Sequence, residues 1–209
     1  QVTSPTQNSK VFNFGLLFCI LILVFWISWA LAQEKRGANM KKIAMIIAES
    51  AFRDEEFLVP KGIFEKNGIE VTVASTSLAE ARGSLGAKVK PDILVKDINV
   101  EDFAALVFVG GGGASQYWDD PLSHKLAQDA LNGNRIVAAI CIAPVTLARA
   151  GILKGRRATV FPDEAQELEA EGVNYTGAAV EKDGNIITAS GPAAAKAFAE
   201  EIIKAINAK

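Results

Sequence analysis

The chain has 209 residues, 50% hydrophobic and 22% charged, with 22 Lys and Arg against 24 Asp and Glu for a net charge of −2. That composition excludes a disordered chain and a polytopic membrane protein, and the lack of basic excess argues against a nucleic-acid partner. Two cysteines, Cys19 and Cys141, and one histidine, His124, exclude a disulfide framework, a multi-cysteine zinc site and any mechanism needing two imidazoles.

Residues 11–32 read VFNFGLLFCILILVFWISWALA and contain no charge. As a hydrophobic helix rising 1.5 Å per residue they would reach about 33 Å, enough for a bilayer core. Three readings stand. The run is a transmembrane anchor with Trp26 and Trp29 near one interface. It is a signal peptide cleaved after Ala30-Leu31-Ala32. Or residues 1–39 are an over-extended reading frame, since Met40-Lys41-Lys42-Ile43 has the look of a start placed directly before a strand. Lys10 alone precedes the run, whereas Lys35, Arg36, Lys41 and Lys42 follow it. That bias keeps the following domain in the cytoplasm and favours an anchor over export. The expected organisation is an N-terminal segment, 1–39, and a globular domain, 40–209, either cytoplasmic or anchored facing the cytoplasm.

From residue 40 onward strand and helix signals alternate. A first apolar run, 43–48, leads into Glu49-Ser50-Ala51-Phe52-Arg53-Asp54-Glu55-Glu56. Such an acidic run ordinarily reads as a solvated helix start, with carboxylates at the positive end of the dipole. Helix 57–66 follows and stops at Asn67-Gly68. Strand 69–74 is next, then strand 106–109 and four glycines, Gly110 to Gly113. No Gly-Lys-Ser/Thr follows them, so this is no nucleotide P-loop. Four glycines suit an anion nest, an oxyanion hole or a plain flexible turn. Asp119-Asp120-Pro121 caps helix 122–131, which ends at Asn132-Gly133. On that helix His124 lies opposite the Leu122/Leu126/Ala130 stripe and is expected in solvent. Strand 136–140 comes next, then helix 145–150. Weaker strands are predicted at 158–161, 178–181 and 186–189, and helices at 163–171 and 193–206. Asp183-Gly184 predicts a hairpin, an antiparallel excursion at a sheet edge.

The four strong strands are apolar on both faces, as in a covered parallel sheet. The alternation predicts an α/β fold with a mainly parallel, doubly wound sheet. In such folds ligands bind beyond the carboxyl ends of the strands. Cys141 stands there, within Ala139-Ile140-Cys141-Ile142-Ala143-Pro144. Small residues two before and two after, with proline in the first helical turn, fit a nucleophile elbow. A helix N-terminus favours a thiolate; the alternative is a buried structural cysteine.

Residues 40–209 resemble the PfpI family, which includes intracellular cysteine peptidases and the Parkinsonism-associated protein deglycase. The resemblance rests on Glu55-Glu56-Phe57-Leu58-Val59-Pro60, Leu106-Val107-Phe108-Val109-Gly110-Gly111, Ala138-Ala139-Ile140-Cys141-Ile142-Ala143-Pro144 and Ile187-Thr188-Ala189-Ser190-Gly191-Pro192. It implies a flavodoxin-like three-layer sandwich and a homodimer or larger assembly. It implies that Cys141 is the reactive thiol and that Glu56, four residues before Pro60, hydrogen-bonds the sulfur. It implies that the N–H groups of Gly111 and Ile142 form an oxyanion hole. The chain departs from the family at two places. Ile142 follows the cysteine where peptidases carry His, and Phe161 precedes Pro162 where deglycase- and glyoxalase-like members carry His. Proton transfer then falls to Glu56, to Asp163 or Glu164, or to a partner subunit.

The expected function is a cysteine-dependent reaction on a small carbonyl compound or its protein adduct, without metal or cofactor. Peptidase activity is secondary. A redox-sensing or stress-protective protein whose Cys141 is oxidised is the alternative, and a membrane-tethered interaction protein with a vestigial pocket is a third reading. Ile142, Phe161, Tyr117 and Trp118 suggest a narrow apolar pocket, although Tyr117 and Trp118 suit a core or an interface equally well.

Overall fold

A computed structural model of the chain describes residues 22–29 and 42–209. Its main sheet has seven strands: β1 (Lys42–Ile46), β3 (Glu70–Ser75), β6 (Ile93–Leu94), β7 (Ala105–Phe108), β8 (Ile136–Ile140), β11 (Val180–Asp183) and β12 (Ile186–Ala189). They run in the order β11-β12-β8-β7-β1-β3-β6. Every pairing is parallel except β11 with β12, which turns back through Asp183-Gly184 at the sheet edge.

Side chains alternate across this sheet, and both faces are buried. Ile43, Met45, Val107, Ala138, Ile140 and Ile187 face one layer, made by α1 (Asp54–Lys66) and α5 (Ala195–Asn207), through Phe57, Phe64, Phe198 and Ile202. Ala44, Ile46, Leu106, Phe108, Val137 and Ala139 face the other. There α2 (Pro121–Asn132), α3 (Pro144–Arg149) and α4 (Ala165–Ala170) contribute Leu126, Leu147 and Leu168. The result is the expected three-layer α/β sandwich. Asp120 caps α2 by accepting from the N–H groups of Leu122 and Ser123, as the Asp-Pro signal predicts.

The smaller elements differ from expectation. β2 (Ser50–Phe52), in the run that reads as a helix start, forms a separate three-stranded sheet with β4 (Ala81–Gly83) and β5 (Lys88–Val89), which lie where no element is predicted. Predicted strand 158–161 shrinks to β9 (Arg157–Ala158), paired with β10 (Asn174–Tyr175). Beyond it the chain turns away, and the Phe161 N–H donates to the Cys141 carbonyl at 2.8 Å. Predicted helix 163–171 divides into a 3-10 turn, Pro162–Glu164, and α4.

The chain divides into two compact units, Gln1–Ala38 and Asn39–Lys209. In the first, residues 22–29 are helical and their apolar side chains are exposed. The remainder of the predicted hydrophobic helix 11–32 lies outside the described residues. Among the described residues no helix is long and apolar enough to cross a membrane. The expected anchorage through 11–32 falls mostly on residues outside those described.

Candidate active site

β7 and β8 lie side by side and deliver Gly110 and Cys141 to the carboxyl edge of the sheet. Cys141 has φ +64, a left-handed conformation rare outside glycine. Two hydrogen bonds hold it there. Its N–H donates to the Ala189 carbonyl at 2.9 Å, and its carbonyl accepts from Phe161. Ala139 and Ala143, the small residues flanking the bend, are fully buried, and Pro144 opens α3. The backbone is thus the strained strand-to-helix turn of a nucleophile elbow. Cys141 itself is 8% exposed.

Glu56 approaches from the first turn of α1. It is wholly buried, and neither carboxylate oxygen has a hydrogen-bond partner. Its side chain lies close enough to the Cys141 sulfur and the Gly110 N–H for both to lower its pKa, without reaching hydrogen-bond geometry with either. Burial wins, and the Glu56 pKa rises to about 7. Burial, then the Glu56 charge, pushes the Cys141 thiol up to about 12; the N–H groups of Gly111 and Ile142 oppose that rise. The expected low-pKa thiolate is therefore not the state beside an ionised Glu56. A six-residue α3 has too small a dipole to overcome burial and a neighbouring carboxylate. The two groups titrate as a pair: the carboxyl gives up its proton near neutrality, and the thiol beside it keeps its own.

Glycines set the spacing. A Cβ on Gly110 would lie on the Glu56 carboxylate, 2.5 Å from Cys141 Cβ and 2.6 Å from the Ile140 carbonyl. Gly111 has φ +93, and a Cβ there would strike the backbone of residues 51–53. The Arg53 N–H donates to the Gly110 carbonyl at 2.9 Å, stitching the start of α1 to the glycine loop. Ala51, in the same loop, also has positive φ, +56.

Cys141, Glu56, Gly111 and Ile142 thus meet at one place, and the other candidates do not join them. His124 is half-buried and pairs through Nε2 with the Trp118 carbonyl at 2.7 Å; the expected solvated position is corrected by that bond. Tyr117 is core, its hydroxyl donating to the Ile47 carbonyl at 2.8 Å. Trp118 is half-buried and donates from Nε1 to the Ile142 carbonyl at 3.1 Å, with the Arg149 guanidinium 5.2 Å from its ring centre. Phe161 is part-exposed and borders Gly191. Among the described residues, the side chains of Asp163 and Glu164 make no hydrogen bond or ion pair. A cleft of about 590 Å³ lined by Lys42, Glu70, Asp92, Asp97 and Asp102 lies elsewhere: it includes the N-terminal residues of β1 and β3, at the sheet end opposite Cys141.

Two contributors escape sequence reasoning. Arg53 looks like one more charge in a charged run, and only the extended backbone before α1, φ −82 and ψ 118, places it against Gly110. The indole bond of Trp118 has no local signal. Glu56 does have one, because Glu56, Pro60 and Phe64 recur every four residues and form one buried stripe.

The DJ-1/PfpI family matches residues 41–205. An uncharacterised protein of Methanocaldococcus jannaschii is 44% identical over 84% of this chain and 88% of its own. A protein of Pyrococcus abyssi named a deglycase is 30% identical over 78% of this chain and 98% of its own. Among solved structures, a ThiJ/PfpI domain protein from Brachyspira murdochii has a TM-score of 0.79 at 33% identity, covering 81% of this chain and 98% of that one. Drosophila melanogaster DJ-1beta has a TM-score of 0.74 at 30% identity, covering 81% and 91%. With the elbow, the buried glutamate and the glycine loop in one fold, the chain belongs to the DJ-1/PfpI family.

Proposed function

We propose that this protein is a cysteine-dependent enzyme of the glyoxalase or deglycase type, acting on small 2-oxoaldehydes or their adducts on proteins. The observation that carries the proposal is the buried, unpartnered Glu56 carboxyl beside the elbow cysteine, with a pKa near 7. A group half-protonated at neutral pH gives and takes protons with equal ease. An ionised Glu56 takes the thiol proton as the Cys141 sulfur attacks the aldehyde carbon, and passes that proton to the carbonyl oxygen. The N–H groups of Gly111 and Ile142 face the developing oxyanion. Glu56, now ionised, moves a proton from the former aldehyde carbon to the neighbouring ketone carbon. One carbon is oxidised by two electrons and the other reduced by the same two, so no external oxidant is needed. Water then cleaves the thioester, releasing a 2-hydroxy acid and the thiol. On a protein adduct the sulfur displaces the protein amine or thiol, which leaves with the Glu56 proton. The relatives named deglycases support this reading.

Peptide hydrolysis fits less well. An amide leaving group needs a strong proton donor, and Ile142 and Phe161 stand where family members would supply His. The oxidation reading has one supporting observation: a Glu56 kept protonated can donate to an oxidised sulfur.

The test is methylglyoxal turnover followed as lactate. The parent chain is expected to form lactate, Cys141→Ala to form none, and Glu56→Gln to lose about 10²–10⁴-fold, the usual worth of general acid–base help. Equal rates in the parent and Cys141→Ala would overturn the proposal.

A further inference from the structure

We propose that Arg53 is the specificity-determining residue of this site, selecting carbonyl compounds whose chain ends in a carboxylate over neutral ones. The inference rests on the glyoxalase reading for its reaction, but on geometry for its charge preference. The Arg53 backbone is fixed at the site: its N–H donates to the Gly110 carbonyl, and it abuts Gly111 closely enough to forbid a side chain there. The guanidinium reaches solvent, with 36% of the side chain exposed. Glu55 takes one edge of the fork, Nε to Oε2 at 2.8 Å and Nη2 to Oε1 at 3.2 Å. That bidentate grip fixes the plane of the guanidinium. Nη1 has no hydrogen bond among the described residues and remains available to a second carboxylate. The guanidinium also lies within electrostatic reach of Glu56 and of the Cys141 sulfur. An anionic substrate therefore gains from a guanidinium held within electrostatic reach of the nucleophile, whereas a neutral aldehyde does not.

The reaction balances as before. A 2-oxoaldehyde ending in a carboxylate, such as 4,5-dioxopentanoate, takes up one water and becomes 2-hydroxyglutarate, with one carbon oxidised and its neighbour reduced.

Two ratios test the proposal. The first needs no turnover. Cys141 is alkylated by iodoacetate and, separately, by iodoacetamide, and the Cys141 peptide is quantified by mass spectrometry. The reagents have nearly the same shape, so any change in thiol nucleophilicity cancels in their rate ratio and only the charge preference remains. Arg53→Gln is expected to lower the iodoacetate-to-iodoacetamide ratio about tenfold at low salt, and less as salt rises. Arg53→Lys is expected to restore part of it, and Glu55→Gln, which frees the second edge, to raise it above the parent. The second ratio is kcat/KM for 4,5-dioxopentanoate over kcat/KM for methylglyoxal, expected to fall in Arg53→Gln through KM. Ratios unchanged by all three substitutions overturn the assignment of Arg53 while leaving the reaction standing. A shifted alkylation ratio without turnover of either aldehyde supports the charge preference and overturns the reaction. Failure of both reagents to reach Cys141 overturns the two together. Should Arg53→Gln not fold, the Glu55→Gln arm decides by the same criterion.

Discussion

Glu56 should make the protein lose stability as pH rises through neutrality, against the usual behaviour of carboxylates. Its pKa is 4.5 when exposed and about 7 in the folded chain, raised chiefly by burial. Between those values the folded state binds more protons than the unfolded one, so stability falls with rising pH. The contribution is fully present below about pH 4.5 and is lost as pH passes about 7. At 1.36 kcal/mol per unit the loss is about 3 kcal/mol, a large share of a typical total of about 5–15 kcal/mol. The comparison is urea unfolding of the parent and Glu56→Gln, followed by circular dichroism from about pH 5 to about pH 8. Asp54 and the other acids are common to both proteins and cancel in the difference. The amide of the variant adds a constant offset, so the slope carries the information. The parent should lose about 2.5 kcal/mol relative to the variant across that range, the rest of the loss falling below about pH 5. A difference flat with pH would refute the claim that burial governs this carboxyl, and the proton-shuttle role would go with it.

Two further outcomes follow from contacts around the same loop. Gly110→Ala should cost about 2–3 kcal/mol by overpacking and slow Cys141 alkylation, because the new methyl must push aside Glu56, Cys141 and the Ile140 carbonyl; chemical denaturation and alkylation rates measure both, and a variant as stable as the parent would contradict the spacing. Asp54→Ala should cost about 2 kcal/mol, since the Asp54 carboxylate accepts from the N–H groups of Leu85 at 2.8 Å and Ala87 at 2.6 Å. Those same bonds lower the Asp54 pKa against the cost of its burial, so its contribution should vanish as pH falls through the acid range, opposite in sign to Glu56.

The sheet is legible in the sequence because its central strands are buried on both faces: no polar residue interrupts 43–48 or 136–140. The hairpin at Asp183-Gly184 and the caps of α2 are legible for an equally local reason, a turn or cap chemistry written into adjacent residues. The β2-β4-β5 sheet is not, because strands of two or three residues hold too few side chains to show a period, and β2 pairs with a strand some 30 residues away. The cysteine turn announces itself through the alanines on either side. The titration of its thiol does not, since that depends on Glu56 arriving from another element and on the exclusion of water. Glu56 belongs to the family pattern, yet its complete burial contradicts the solvated appearance of the charges around it. Arg53 is hidden for a similar reason: its direction comes from the backbone bend before α1, and no residue type encodes that bend.

The positive φ of Cys141 sets the proposed chemistry against folding at a single backbone position. A left-handed cysteine costs about 1–2 kcal/mol that glycine would not incur, and here it is enforced by the bond its N–H donates to Ala189 and the one its carbonyl accepts from Phe161. Glycine at this position would give a sturdier scaffold with no sulfur to offer. The thiol occupies the bend at the expense of the fold's own resilience, so a gain in thermal robustness at this position would remove the sulfur on which the proposed reaction depends.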